Sequence, residues 1–216
     1  MAYIDLPFGE INGEGSDFTI GSFTGLPSIP WNADLTLVEL TFTTRRNSGA
    51  TGSSGETRVV VCGSTITVVR GMSRNTDYSG RFDLTGYVQN NSGTLTYKDG
   101  STSISIRGYH DYNLLFGASY WKITNGNIRV TYNVPTYVIT VSSNNTNCGS
   151  VSGGGTYERW NSATLIANPN NGYHVDYWIK NGVKISGSEN KTSLSISSIS
   201  NNDTYQAVFV GNAYSV

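Results

Sequence analysis

Apolar and polar residues alternate with a period of two along the whole chain, and nowhere does an apolar i, i+3, i+4, i+7 pattern last for three helical turns. Side chains on a strand point to opposite faces in turn, so this rhythm buries one face of a sheet and wets the other. The chain is therefore all-β. The clearest strands run from Leu35 to Thr43, Arg58 to Val61, Thr65 to Val69, Gly93 to Tyr97, Ser103 to Ile106, Ile128 to Tyr132, Tyr137 to Val141, Tyr173 to Lys180 and Tyr205 to Val210. Asp99-Gly100 and Asn181-Gly182 stand between such runs as two-residue hairpin signals, because Asn, Asp and Gly tolerate positive φ, and Asn125-Gly126 is a third. Residues 47–55 hold nothing that a core would bury and read as a mobile surface loop.

Composition agrees with sheets and narrows the role. Charged residues make up 13% of the 216, against about 25% in ordinary soluble domains, while 25 are Gly. A net charge of −1 sets up no field that would gather phosphate backbones or anionic lipid, which argues against nucleic acid as partner. No stretch approaches the roughly 20 apolar residues of a membrane span, and the start, MAYIDLP, lacks the basic and apolar segments of an export signal. Neither export by its own signals nor membrane insertion is expected. Cys62 and Cys148 are too few and too far apart for a disulfide framework or a zinc site, and two free, buried thiols are expected.

A strand ends and another begins around Val134-Pro135-Thr136, where Pro removes a ladder donor. This divides the chain into domains at 1–134 and 135–216. In the second, Tyr137-Val-Ile-Thr-Val141, the Gly-rich segment 149–155, the run from Ala163 to Tyr173, Tyr177-Trp178 with Asn181-Gly182, and Tyr205-Gln-Ala-Val-Phe209 follow in order. Over residues 137–210 this pattern resembles the divergent B-repeat, a small β-domain of internalin-type bacterial surface proteins. The resemblance implies a spacer or interaction module with no catalytic residue, and places Trp178 and Phe209 in a core. In the first domain, residues 80–88 followed by 93–97 are similar to a strand pair of jelly-roll sandwiches, and residues 120–132 resemble the last strands of β-sandwich domains in phage structural proteins. The expected fold is a jelly-roll-like antiparallel β-sandwich followed by a smaller B-repeat-like β-domain.

No nucleophile elbow, phosphate loop or zinc-protease motif occurs. His110 and His174 have no His or Cys at ligand spacing, so no metal and no cofactor are expected. Residues 10–17 (EINGEGSD) offer oxygen ligands on a Gly-rich loop, a minority option for calcium without EF-hand spacing. A carboxylate pair for glycoside hydrolysis is assembled by folds and not by spacing, so a polysaccharide depolymerase stays as a third reading. Most acids, Glu14, Asp99 and Asp203 among them, stand in apparent turns where solvation explains them. Asn90, Asn144, Asn190 and Asn202 open N-x-Ser/Thr triplets that arise by chance in so Asn- and Ser-rich a chain.

The aromatics are the most suggestive feature. Tyr109, Tyr112, Phe116, Tyr120 and Trp121 crowd around one loop. Flat rings beside hydroxyl and amide groups suit sugar faces, and Tyr109, Tyr112 and Tyr120 are the candidate contacts to a glycan or a partner. The competing reading has Tyr112, Phe116 and Trp121 closing one end of the sandwich, since large rings dominate burial. Together these features point to a non-enzymatic structural protein of a bacteriophage particle, a head decoration, fibre or tail component at the virion surface, made in the host cytoplasm. Its expected partners are other virion proteins, through a homo-oligomer or lattice contact, and host envelope polysaccharide. The alternative is a fragment of a bacterial cell-surface adhesin or a secreted carbohydrate-binding module.

Overall fold

The computed structural model describes residues 1–14, 17–47, 55–110 and 120–213, and they form strands throughout, with one 3-10 turn at Thr85–Tyr87 and no α-helix. The chain divides into two compact units, Met1–Asn133 and Val134–Val216.

In the first unit the strands are β1 (Ala2–Phe8), β2 (Ile11–Glu14), β3 (Asp17–Thr24), β4 (Asp34–Arg46), β5 (Gly55–Val61), β6 (Ser64–Met72), β7 (Asp77–Asp83), β8 (Val88–Asn91), β9 (Thr94–Tyr97), β10 (Ser103–His110) and β11 (Tyr120–Asn133). Their pairing is nested. β5 pairs with β6, β4 with β7, β3 with β10 and β1 with β11, all antiparallel, as in one long hairpin whose tip is Cys62-Gly63. Successive layers of the nest fall into alternate sheets, β1-β11-β4-β7 with β2 beside β11, and β3-β10-β5-β6. A long hairpin rolled up in this way is a jelly roll.

Alternation along the strands turns Val38, Leu40 and Phe42 of β4 and Ile123, Ile128 and Val130 of β11 towards Val59 and Val61 of β5 and Ile104 and Ile106 of β10, and all are buried. Each such side chain contributes about 1.5–3 kcal/mol relative to exposure. Trp121 of β11 lies on glycine: a Cβ at Gly108 of β10 would stand 2.8 Å from its ring, and one at Gly55 of β5 would stand 2.7 Å away. The two glycines make room for the largest side chain of this core.

Three local expectations are corrected. Asn125-Gly126 does not turn the chain; it is a bulge inside β11, where the register against β4 slips between Thr124 and Asn127 and Asn125 takes φ 51°. The Phe8 ring of the neighbouring strand covers Gly126, where a Cβ would come within 1.7 Å of it. Asp99-Gly100 turns the chain without making a hairpin, because β9 pairs with β8 and β10 pairs with β3 and β5. Residues 80–88 and 93–97 are not a strand pair of the sandwich either, since β7 belongs to the first sheet and β8-β9 is a separate hairpin. Among the described residues of this unit, two-residue hairpins form at Cys62-Gly63 (φ 47° and 69°) and Ser92-Gly93 (φ 53° and 93°). The loop expected at residues 47–55 lies mostly outside the described residues.

The second unit contains β12 (Thr136–Ser143), β13 (Gly149–Ser152), β14 (Gly155–Glu158), β15 (Ala163–Pro169), β16 (Tyr173–Lys180), β17 (Val183–Lys184), β18 (Ser193–Ile196) and β19 (Asp203–Gly211). They form a sheet β14-β12-β19-β16-β17 and a smaller one β13-β15-β18. The pair β12-β19 is parallel, so this unit is not purely antiparallel. Trp178 and Phe209 are buried as the B-repeat pattern implies, in a core with Leu165, Val175, Ile199 and Tyr205. The Trp178 indole N–H is satisfied by the Lys191 carbonyl at 2.8 Å. Asn181-Gly182 forms the β16-β17 hairpin with φ 48° and 82°.

Candidate functional site

Strand parity separates the crowded aromatics. In β10, Ile104, Ile106 and Gly108 face inward, so Tyr109 is on the outer face of its sheet, half-buried. The Arg58 guanidinium of β5 lies over its ring, 3.6 Å from the centroid. Arg58 is held there by Glu56, with Nη2 and Nε donating to Oε2 at 2.9 and 3.1 Å, and the Thr67 hydroxyl donates to the same oxygen at 3.2 Å. In β11 it is Trp121 that faces inward, 1% exposed, so Tyr120 faces outward and is 50% exposed. Tyr109 and Tyr120 thus stand on the outer faces of different sheets and do not share one surface. Tyr112 and Phe116 lie outside the described residues, and Trp121 belongs to the core.

The outer face around Tyr120 is a ladder of opposite charges. Asp5 of β1 takes a two-pronged contact from Arg129 of β11 at 2.8 and 2.9 Å and a further hydrogen bond from Asn127 at 2.8 Å. Arg129 stands opposite Glu39 of β4, which pairs with Arg81 of β7. Nearer Tyr120, Lys122 binds Glu10 at 2.7 Å and Arg45 binds Asp77 at 3.4 Å. Opposite charges directly across a sheet face stabilise it by about 0.2–1 kcal/mol per pair.

These contacts govern the carboxyls. Hydrogen bonds from Arg129 and Asn127 hold Asp5 down at about 2, and those from Lys122 and Asn12 lower Glu10. Asp83 is lowered by Thr85, Asp99 by Ser101, and Glu189 by Lys184. Burial opposes ionisation of Asp203, yet Lys180 and Asn181 outweigh it and its pKa also falls. Asp203 is thus a clamp and not a solvated turn residue, joining β19 to Lys180 at 2.8 Å and to Asn181 at 2.8 Å. In the segment suggested for calcium, the Glu10 carboxylate is taken by Lys122 and by Asn12 at 3.2 Å. His174 is engaged with Asn212 at 2.8 Å, and no cluster of metal-ligating residues occurs among the described residues.

Asparagines that looked like chance triplets hold backbone together. Asn144 accepts from the Phe209 N–H at 2.9 Å and donates to its carbonyl at 3.1 Å. Asn90 accepts from the Gly93 N–H at 2.7 Å, and Asn202 accepts from the Val138 N–H at 2.7 Å. Asn90 caps its own hairpin turn, three residues on, whereas nothing local marks Asn144 and Asn202, whose partners lie 65 and 64 positions away. Cys62 and Cys148 are both free, but only Cys148 is buried; Cys62, at the hairpin tip, is partly exposed.

Residues 139–213 match the family model of the divergent InlB B-repeat domain. A comparison with curated proteins returned no match. Among solved structures, the chain is similar to one from infectious bursal disease virus Gx strain, at 10% identity and a TM-score of 0.34 over 60% of this chain and 31% of that one. It is also similar to the VP2 subviral particle of that virus, at 11% identity and a TM-score of 0.25 over 61% of this chain and 37% of that one. The adhesin domain of Epf from Streptococcus pyogenes matches at 10% identity and a TM-score of 0.19, over 88% of this chain and 65% of that one. The chain spans about a third of the length of the viral chains.

Proposed function

We propose that this chain is a non-enzymatic structural protein of a bacteriophage particle, a head decoration, fibre or tail component. Its β-modules face outward for assembly contacts and for attachment to host envelope polysaccharide. The observation that carries the reading is the series of a nested jelly-roll sandwich and a B-repeat-type module, the first an architecture of capsid and lectin domains. The carboxyls support the non-enzymatic part. A glycoside hydrolase needs one carboxylic acid whose pKa is raised so that it holds a proton at neutral pH. Six of the 15 acids, Asp5, Glu10, Asp83, Asp99, Glu189 and Asp203, are instead pulled down by hydrogen-bonding partners, which removes these six as proton donors. Tyr109, Tyr112 and Tyr120 are the proposed contacts, on the ground that Tyr presents large amphipathic area at low entropy cost.

The B-repeat match also favours a second reading, a fragment of a bacterial surface adhesin. Gold-labelled antibody against this chain, applied to purified particles and to cells from the same culture, separates the two. Label on particles is expected, and label confined to the cell envelope overturns the virion assignment.

A further inference from the structure

We infer that the cleft between the Thr24–Leu26 segment and the β9-β10 turn is a saccharide-binding site. This rests on the proposed attachment to polysaccharide and gives it a place that the exposed tyrosines do not occupy. The cleft encloses about 560 Å³, and Leu26 and Leu95 line it together with Gln89, Thr96, Tyr97 and Thr102. That volume falls within the ordinary range of small-molecule sites, roughly 300–1,000 Å³.

Hydrogen-bonding capacity sets this place apart. Elsewhere on the sandwich polar side chains are largely committed to one another, as Asp5 is to Arg129 and Glu56 to Arg58. Here much of it is left over. Thr96 Oγ1 accepts from Asn91 at 2.8 Å and from Gln89 Nε2 at 3.4 Å, so its own proton has no acceptor among the described residues. Gln89 uses its amide N–H in that contact and keeps its carbonyl oxygen open. The Ser101 hydroxyl, in the turn that lines the cleft, is buried without a hydrogen-bond partner among the described residues. An unmade hydrogen bond at a buried hydroxyl is expensive, so such a group marks a place where a further polar atom is expected.

The set selects a ligand class. Hydroxyl and amide groups that both donate and accept, beside the half-buried Leu26, match a sugar ring with its polar edge and apolar face. Lys98 is the one charged residue among those that line the cleft, which is too little positive charge for a nucleotide or a phosphate chain. An extended peptide would pair with the outer edge of β9, which Ser28 already bridges at Thr94. The hairpin β8-β9 builds the site by tertiary contact, since Ile29 N–H donates to the Gly93 carbonyl at 3.0 Å and Ser28 bridges to Thr94.

The test uses the full ¹⁵N-labelled chain titrated with glucose, galactose, rhamnose and N-acetylglucosamine, and in parallel retention of the chain on isolated host wall polysaccharide. At least one sugar is expected to shift the amide signals of Gly100 and Ser101 and the side-chain amide of Gln89. Gln89→Ala and Thr96→Val, checked for unchanged thermal unfolding, are each expected to weaken retention roughly 3- to 10-fold, the worth of one hydrogen bond, while Arg81→Gln leaves it unchanged. Retention of both cleft variants at the wild-type level, with no sugar moving these signals, overturns the cleft and leaves polysaccharide attachment standing. Sugar shifts at the cleft without retention on polysaccharide support the cleft and overturn the attachment reading. Neither shifts nor retention overturns both.

Discussion

The hydroxyls of Thr44 and Thr57 meet at 2.9 Å between the two sheets of the sandwich, with both side chains fully buried. Thr57 in turn donates to Met72 Sδ at 3.3 Å, so Thr44 is the donor to Thr57 and the three groups form a directed chain. Thr57→Val leaves the Thr44 hydroxyl buried without its acceptor and is expected to cost about 1–3 kcal/mol. In the double variant Thr44→Val/Thr57→Val that unpaired group is gone, and the cost is expected to be smaller than for Thr57→Val alone. Urea unfolding of the variants checks this, and a double variant less stable than Thr57→Val contradicts it.

Trp121 makes a second demand on the core. Gly108→Ala drives a methyl group against the indole ring, where the Cβ would stand 2.8 Å away, and overpacking of this kind costs about 1–3 kcal/mol. Gly86 has nothing within 4 Å of its Cβ position, and Gly86→Ala is expected to stay within about 0.5 kcal/mol of wild type. Equal stability of the two variants in denaturant melts would show that the ring yields freely.

The Asp5–Arg129 contact is acid-sensitive. The Asp5 carboxyl titrates at about 2 in the folded chain against an ordinary 3.8. A folded value below the unfolded one means that the contribution to stability is complete above about pH 4 and is lost as the pH falls towards 2. Carboxyl ¹³C titration is expected to place the Asp5 midpoint near 2, and Arg129→Gln to move it up towards the ordinary value. A midpoint unmoved by that change assigns the shift to another cause.

The two thiols should differ in the native protein. Cys62, partly exposed at the hairpin tip, is expected to react with Ellman's reagent without denaturant, and Cys148, buried in the second unit, only after unfolding. Intact mass without reductant should correspond to two free thiols. One fast and one denaturant-dependent thiol is the expected count, and two fast thiols would mean that Cys148 is not in a core.

Tyr120 and Tyr109 are expected to separate binding from folding. Tyr120→Ala removes a ring that is half exposed and should leave stability within about 0.5 kcal/mol, while weakening attachment by about 1–3 kcal/mol where the ring is a contact. Tyr109→Ala also removes the ring beneath Arg58 and is expected to cost about 0.5–1 kcal/mol of stability. Adsorption assays beside thermal melts distinguish them. Stability loss in both with binding per folded molecule unchanged would assign the rings to the fold alone.

What the sequence by itself determined is local in physical origin. The alternation across β4 declares a strand because burial on one face needs only the residues of that strand, and Asn181-Gly182 declares its hairpin because both residues accept positive φ. The ordered pattern of the second half declared a B-repeat module for the same reason, as turn chemistry and core positions recur at set places. Tertiary structure alone decided which strands pair. Asn125-Gly126 carries the same turn chemistry as Asn181-Gly182, yet it lies within β11 because that strand is pinned between β1 and β4 and its ladder continues past the pair as a bulge. Cys62 carries no turn signal and still sits at φ 47°, because the pairing of Val61 with Ser64 closes the innermost hairpin of the nest. The same limit applies to the sites. Tyr109 and Tyr120 are close in sequence and part to opposite outer faces by strand parity, whereas Leu26 and Gln89, 63 positions apart, line one cleft because the β8-β9 hairpin folds back to bridge Ser28 and Thr94. Periodicity is written residue by residue, but contacts between distant residues depend on the free energy of the whole nest, which no short stretch of sequence contains.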